Sequence, residues 1–224
     1  WRNLTPRPYF ADEEFRTYLK VILITAIITI SYLFFAEQFT SFSDAAHHGL
    51  FQVVSAATTT GFTTTNFALW PGLLPALLIV VSFIGGCAGS TGGGMKVMRI
   101  LLLLKQGMRE VVRLIHPSAQ ISVKIGGNPL DERVIDSVWG FFSLYVFSFL
   151  VMSLILAGSG LDLVTAFSAV AACMNNLGPG LGEVAANYSG INDLAKWVLC
   201  FAMLLGRLEI FTLLVLLSPA FWRR

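Results

Sequence analysis

Long uncharged apolar stretches alternate with short charged segments along the chain. They cover residues 21–36, 45–95, 137–161, 163–182 and 197–222, and Arg207 and Glu209 alone interrupt the last of them. A helix needs about 20 apolar residues to cross the hydrocarbon core of a bilayer. The pattern therefore predicts several membrane-spanning helices, and the second stretch is too long to be one helix.

The basic residues indicate which segments face the cytoplasm. Of the 15 Lys and Arg residues, four precede the first apolar stretch, seven lie within 96–133 and two end the chain. Residues 37–69 and 158–195 contain no Lys or Arg. Because cytoplasmic segments are enriched in these residues, both termini and the middle segment are predicted to be cytoplasmic, and the two segments without basic residues to lie outside.

Each half of the chain carries an extra apolar stretch, at 45–65 and at 163–182, that must begin and end outside. Only about 12 to 14 residues of each can be helical, too few to cross. Non-helical backbone at membrane depth is tolerated when it is buried in protein or lines a cavity. Each half is therefore predicted to contain an outer helix, a re-entrant pore helix, an extended return and an inner helix.

The two halves form a parallel repeat. Gly61 in the run TTTGF and Gly178 in the run NNLGP are 117 residues apart, and the same offset lays 18–36 over 135–153. Asp44 and Asp162 lie near the starts of the two short helices and are predicted to be their N-caps.

The glycine turns after the short helices suggest a cation filter. Backbone carbonyls can replace the hydration shell of a cation, and glycine adopts the required angles at the lowest cost. The C-terminal end of each short helix adds partial negative charge. The alternative is that both glycines are ordinary helix C-caps, but it does not explain why they occupy matching positions. The predicted filter residues are Thr59, Thr60, Gly61, Phe62, Asn176, Leu177, Gly178 and Pro179.

A cluster of six glycines within residues 85–94 is predicted to break the first inner helix inside the membrane. A phosphate-binding loop is excluded by the position of Lys96, and close helix packing explains only two or three of the glycines. The length of chain from Gly178 to Arg207 is similar to that from Gly61 to the glycine cluster. Arg207 and the cluster should therefore lie at a similar depth, and we predict that they form a gate together. An ion pair with an acidic residue is the alternative for Arg207, although Glu209 lies on another face. The predicted gate residues are Gly85, Gly86, Gly89, Gly92, Gly93, Gly94 and Arg207.

Four segments together resemble the Trk/Ktr/HKT superfamily of potassium transporters, most closely the bacterial TrkH-type subunits. They are residues 59–63, 85–96, 175–180 and 206–209, and the resemblance extends over nearly the whole chain. It implies four outer–pore–inner repeats around one pore, of which this chain would be the C-terminal half with repeats three and four. It further implies K⁺ in the pore, a bacterial inner-membrane location, a homodimer, and a cytosolic nucleotide-binding ring as partner.

Composition agrees with a membrane protein, since 55% of the residues are hydrophobic, 12% are charged and the mean hydropathy is +0.73. Soluble domains carry about 25% charged residues. No nucleophile–base pair or metal-ligand motif is visible in the sequence, so we predict neither an enzyme, nor an organic cofactor, nor a nucleic-acid partner. The predicted segments are a cytoplasmic N-terminus (1–17), a first repeat (18–115, its inner helix broken at 85–94), a cytoplasmic hairpin and linker (116–133) and a second repeat (134–224).

The predicted fold is thus all-α, with two potassium-channel-like repeats, and the predicted function is channel-like potassium uptake. A transporter coupled to a second ion would need acidic residues at mid-membrane, where Glu209 is the single candidate. A non-conducting structural subunit gives no reason for Gly61 and Gly178 to match.

Overall fold

The computed structural model describes residues 10–117, 121–208 and 210–222 of the chain. These residues are mostly helical, as expected. We number the helices in chain order: α1 (Glu13–Phe35), α2 (Phe42–Ala57), α3 (Leu74–Ile84), α4 (Val97–Ile115), α5 (Glu132–Gly158), α6 (Leu163–Met174), α7 (Asp193–Leu208), α8 (Ile210–Leu217) and α9 (Pro219–Trp222). Short 3₁₀ turns at Phe67–Leu69 and Gly182–Val184 follow α2 and α6.

Two of these helices are long and apolar enough to cross a membrane. The helix α1 has 23 residues and α5 has 27, which gives lengths of about 35 and 40 Å at 1.5 Å per residue. Large apolar side chains on both helices remain exposed, including Ile27 (64%) and Leu154 (71%). The apolar helices α3 and α6, with 11 and 12 residues, are too short to cross.

The short helix α6 lies at the centre of the packing. Nine of its 12 residues are buried, and it packs against α3, α5 and α7. Many of the buried residues are small, including Ala166 and Ala169, which are fully inaccessible. Small side chains allow neighbouring helices to approach closely. The helix α2 packs similarly against α1, where a Cβ at Gly49 would be 3.1 Å from Ile30 Cγ1.

A two-stranded hairpin follows α4, in the region where residues 121–125 alternate in hydropathy. Strand β1 (Lys124–Ile125) pairs antiparallel with β2 (Asn128–Pro129). Gly126 and Gly127 both have positive φ, which suits a two-residue turn. The Gly126 amide donates to Glu13 Oε2 (3.2 Å), and Glu13 Oε1 is 2.5 Å from Lys105 Nζ, so one carboxylate joins α1, α4 and the hairpin.

The N-cap predictions for the two short helices have different outcomes. Asp162 caps α6, and its Oδ2 accepts the Val164 amide at 3.2 Å. The prediction for Asp44 was wrong, because α2 begins earlier and Ser41 is its cap, accepting the Ser43 amide at 3.1 Å. Asp44 lies instead in the first turn of α2.

This difference gives a matched pair of variants. We expect Asp162→Ala to lower the free energy of unfolding by about 1 kcal/mol, the usual cost of losing an N-cap. Asp44→Ala removes only a favourable charge near the start of a helix, and should cost less than about half as much. Thermal unfolding of both purified variants in detergent measures the difference. Equal losses would contradict the assignment of Asp162 as a cap.

Candidate functional site

The segments that follow α2 and α6 have the same backbone conformation at the 117-residue offset. Thr58 and Asn175 end the two helices with φ, ψ of −86°, −2° and −84°, −4°. The next residues, Thr59 and Asn176, have positive φ of 54° and 53°. Thr59 is β-branched and rarely adopts this conformation, at a cost of roughly 1–2 kcal/mol, whereas an asparagine such as Asn176 tolerates it better. The two turns therefore share a strained geometry that tertiary contacts must stabilise.

Matching hydrogen bonds close both turns. The Thr60 amide donates to the Ser55 carbonyl at 2.9 Å, and the Leu177 amide donates to the Ala172 carbonyl at 2.8 Å. Both donors and both acceptors are related by the same 117-residue offset. We call residues 58–62 the first loop and residues 175–179 the second loop.

The two glycines at the offset differ in their surroundings. Gly61 and Gly178 both have positive φ, of 80° and 100°. A Cβ at Gly61 would lie 1.9 Å from the carbonyl oxygen of Leu177, so the first loop packs directly on the second. At Gly178 no heavy atom of the described residues lies within 4 Å of the Cβ position. Glycine is thus required at 61 by conformation and by contact, and at 178 by conformation.

Side chains outside the loops hold two of the predicted filter carbonyls. Ser55 Oγ donates to the Phe62 carbonyl at 2.7 Å, and the Tyr188 hydroxyl donates to the Gly178 carbonyl at 2.6 Å. Neither donor was identified from the sequence. Tyr188 lies ten residues beyond its acceptor, in a region without a recognisable motif, so no sequence signal pointed to it.

The glycine-rich segment connects α3 to α4 as a compact loop. The helix α3 ends at Ile84, and α4 begins at Val97. The Met95 amide donates to the Phe83 carbonyl at 2.9 Å, and the Val97 amide donates to the Gly86 carbonyl at 3.2 Å. The end of the segment therefore lies beside its start, and α4 continues close to where α3 stops.

This segment contacts both loops through Gly93. The Gly93 amide donates to Thr59 Oγ1 at 3.0 Å, and a Cβ at Gly93 would overlap the Asn175 carbonyl. A Cβ at Gly92 would be 3.2 Å from Thr59 Oγ1. The segment therefore lies against the two loops at Gly92 and Gly93, and at Gly93 there is no room for a side chain.

The remaining glycines of the segment have different roles. A Cβ at Gly85 would clash within the segment. A Cβ at Gly94 would clash with α3, where it would lie 2.8 Å from the Ser82 carbonyl oxygen. Gly89 has a φ of 81°, and no described atom lies within 4 Å of its Cβ position. The cluster of glycines thus reflects close packing at most positions and backbone conformation alone at Gly89.

Two cations bind carbonyls of the segment. Arg207 Nη1 donates to the Thr91 carbonyl at 2.5 Å, and Lys96 Nζ donates to the carbonyls of Ser90 (2.8 Å) and Gly92. Arg207 is exposed and Lys96 is partly buried, and the carbonyls of the non-helical segment are suitable acceptors for both. The sequence pointed to Arg207 but not to this role of Lys96. Glu209, the alternative partner considered for Arg207, lies outside the described residues.

A cavity of about 230 Å³ adjoins this part of the segment, lined by Lys96, Arg99 and Arg207 among other residues. The Arg99 guanidinium lies 4.1 Å from the centre of the Phe141 ring, in a cation–π contact. Three positive charges thus surround one cavity beside the segment. A cation entering it would be repelled as long as these side chains keep their positions.

Long apolar helices with exposed apolar side chains, short buried helices and paired glycine loops are the features of an α-helical membrane protein. The family profile of TrkH, described as a cation transport protein, matches residues 16–224, and the chain belongs to this family.

Several relatives support this assignment. The chain is 56% identical over 218 residues to the Trk system potassium uptake protein TrkH of Vibrio parahaemolyticus, covering 97% of this chain and 45% of that protein. It is 52% identical to TrkH of Escherichia coli, covering 96% and 44%, and 40% identical to the potassium uptake protein TrkG of Escherichia coli, covering 98% and 45%. The crystal structure of TrkH from Vibrio parahaemolyticus superimposes with a TM-score of 0.91 over 97% of this chain and 47% of that one. The chain thus spans a little under half the length of these relatives.

Proposed function

We propose that this chain forms half of a channel-like potassium pathway, in which the first and second loops are two parts of a selectivity filter. The observation that carries the proposal is the direct contact of two loops with the same strained backbone, where Gly61 meets the Leu177 carbonyl. The helices α2 and α6 both end at these loops, which adds partial negative charge there. The relatives named as potassium uptake proteins support potassium as the ion.

The backbone oxygens of the filter residues are the proposed ion ligands. The carbonyls of Phe62 and Gly178 accept hydrogen bonds from Ser55 and Tyr188, so they brace the loops as well. A carbonyl has two lone pairs and can accept one such bond while it faces an ion. The proposed ligands are the carbonyls of Thr59, Thr60, Gly61, Phe62, Asn176, Leu177, Gly178 and Pro179.

We further propose that the glycine-rich segment and Arg207 form a gate beneath the filter. The contact of Gly93 with both loops and the bond from Arg207 to Thr91 support this position. In the state described here, the segment and the adjoining positive charges would oppose the passage of a cation. Opening requires the bonds of Arg207 and Lys96 to the segment to be released.

The remaining proposals concern placement and partners. The distribution of Lys and Arg supports cytoplasmic termini in a bacterial inner membrane. The chain covers less than half the length of its relatives, which supports completion of the pore by the N-terminal half of the same subunit. The relatives belong to Trk systems, which supports other Trk components as partners. A homodimer and a cytosolic nucleotide-binding ring follow from the family resemblance alone.

Rubidium uptake by the complete subunit in lipid vesicles tests the proposal. Vesicles loaded with potassium should accumulate external rubidium, because a passive pathway lets the potassium gradient drive exchange. Setting the pH and the sodium concentration equal on both sides of the vesicle membrane should leave the initial rate unchanged. Loss of uptake under these conditions would favour a transporter coupled to a second ion, and absence of uptake in any condition would favour a structural subunit.

A further inference from the structure

A fully buried hydrogen-bond network joins the second loop to helices of both halves of the chain. The Tyr145 hydroxyl on α5 donates to Asn175 Oδ1 at 2.5 Å. Asn175 Nδ2 donates to Ser82 Oγ on α3 at 2.8 Å, and Ser82 Oγ donates to the Ile79 carbonyl at 2.6 Å. Asn175 and Ser82 have no exposed surface, and Tyr145 is 3% exposed.

The chemistry of the network fixes the orientation of the Asn175 amide. Ser82 has a single hydroxyl proton, which is used on Ile79, so its oxygen can only accept from the amide nitrogen. The amide oxygen must then face Tyr145, which donates. The amide oxygen and the amide nitrogen of Asn175 each have a defined partner. Removal of any residue of the network therefore leaves an unsatisfied polar group in an apolar core.

Asn175 is also the residue on which the second loop depends for its position. It ends α6 and directly precedes the strained residue Asn176. Its backbone carbonyl lies against Gly93, while Ser82 precedes the glycine-rich segment by three residues and has its own carbonyl against Gly94. The Asn175 side chain therefore connects the second loop to the end of α3, and the backbone of both contacts the glycine-rich segment.

The equivalent position in the first loop is held differently. Thr58, at the 117-residue offset from Asn175, donates to the Val54 carbonyl at 2.7 Å and lies 2.7 Å from Thr60 Oγ1. These bonds stay within its own turn. The Thr58 side chain therefore braces its loop locally, whereas the Asn175 side chain is bonded to helices distant in sequence.

We infer that Tyr145, Asn175 and Ser82 are positioning residues that determine ion preference, because they set the distance between the two loops. The inference rests on the proposed function of the loops as a filter. Gly61 packs on the Leu177 carbonyl, so a small displacement of the second loop changes the separation of the backbone oxygens of both loops. The preference between potassium and sodium depends on the size and flexibility of such a carbonyl cage.

Single hydroxyl deletions in the complete subunit test this inference. Tyr145→Phe and Ser82→Ala each remove one bond to Asn175 without adding bulk or charge. We expect the ratio of potassium to sodium uptake, measured by competition in vesicles, to fall roughly fivefold in each variant, the factor that corresponds to one net hydrogen bond. The matched control is Ser153→Ala on α5, since Ser153 Oγ is buried and has no hydrogen-bond partner among the described residues.

The outcomes separate positioning from mere stability. If total uptake falls with the amount of folded subunit while the ion ratio stays at that of the control, the network is structural and the inference is overturned. A lower ratio in both variants, with the Ser153→Ala ratio unchanged, supports it. If the unmodified subunit itself does not prefer potassium, the proposed filter function fails instead, independently of these variants.

Discussion

Replacing Gly61 by alanine is expected to reduce potassium uptake by the complete subunit at least roughly tenfold. Alanine in the left-handed region costs about 1–2 kcal/mol, which the loop relieves by changing its conformation. If this change raises the barrier to ion passage by a similar amount, the rate falls about tenfold. In addition, the new Cβ would overlap the Leu177 carbonyl, so the two loops must separate. Initial uptake rates in vesicles, normalised to folded subunit, measure the effect.

Two glycines serve as graded controls for this variant. Gly178→Ala has the same conformational penalty at a φ of 100° but no clash with a described atom, so its effect should be smaller. Gly107 lies within α4, and no described atom is within 4 Å of its Cβ position, so Gly107→Ala should leave uptake unchanged. Uptake by Gly61→Ala equal to that of Gly107→Ala would contradict the close contact of the loops as a functional feature.

Replacing Arg207 by alanine is expected to raise potassium uptake several-fold. The substitution removes the bond to the Thr91 carbonyl, which in the proposed gate keeps the glycine-rich segment against the loops. It also removes one of three positive charges around the adjoining cavity, and a charge at a distance of about 4 Å changes the energy of a cation by roughly 1–4 kcal/mol, depending on solvation. The measurement is again the initial uptake rate at equal amounts of folded subunit.

Two lysine-based variants show which property of Arg207 matters. Arg207→Lys keeps the positive charge but loses the planar guanidinium group. If its uptake rate lies between those of the unmodified subunit and Arg207→Ala, the difference from the unmodified subunit is due to hydrogen-bond geometry. Lys20→Ala removes an exposed cation on α1 that does not line the cavity beside the segment, and should not alter uptake. If the segment and Arg207 form a gate, Arg207→Ala or a deletion across residues 89–94 must change uptake. Unchanged uptake in both variants would contradict the gate.

Local features of the fold could be predicted from the sequence because they depend on nearby residues. The long apolar stretches predicted the regions of α1 and α5, which are long and apolar enough to cross a membrane. The break between α3 and α4 follows from the density of glycines, which destabilise a helix wherever they cluster. The start of α2 was predicted less well, because Ser41 and Asp44 are both good caps and the choice depends on packing against α1.

The contacts that organise the candidate site could not be predicted in the same way. The bonds of Asn175 join residues 30 and 93 positions apart, and that of Arg207 joins residues 116 positions apart. Hydropathy and glycine spacing contain no information on such pairs. The only local signal was the presence of polar groups within otherwise apolar helices, as at Ser82 and Tyr145, where burial requires a partner but does not identify it.

If the two loops select potassium by their backbone geometry, potassium and sodium should differ in how well they compete with rubidium for uptake. The complete subunit in vesicles is supplied with a fixed concentration of rubidium and increasing potassium or sodium outside. We expect potassium to suppress rubidium uptake at a concentration at least roughly tenfold lower than sodium does, as for a carbonyl filter. Equal suppression by sodium and potassium would contradict it.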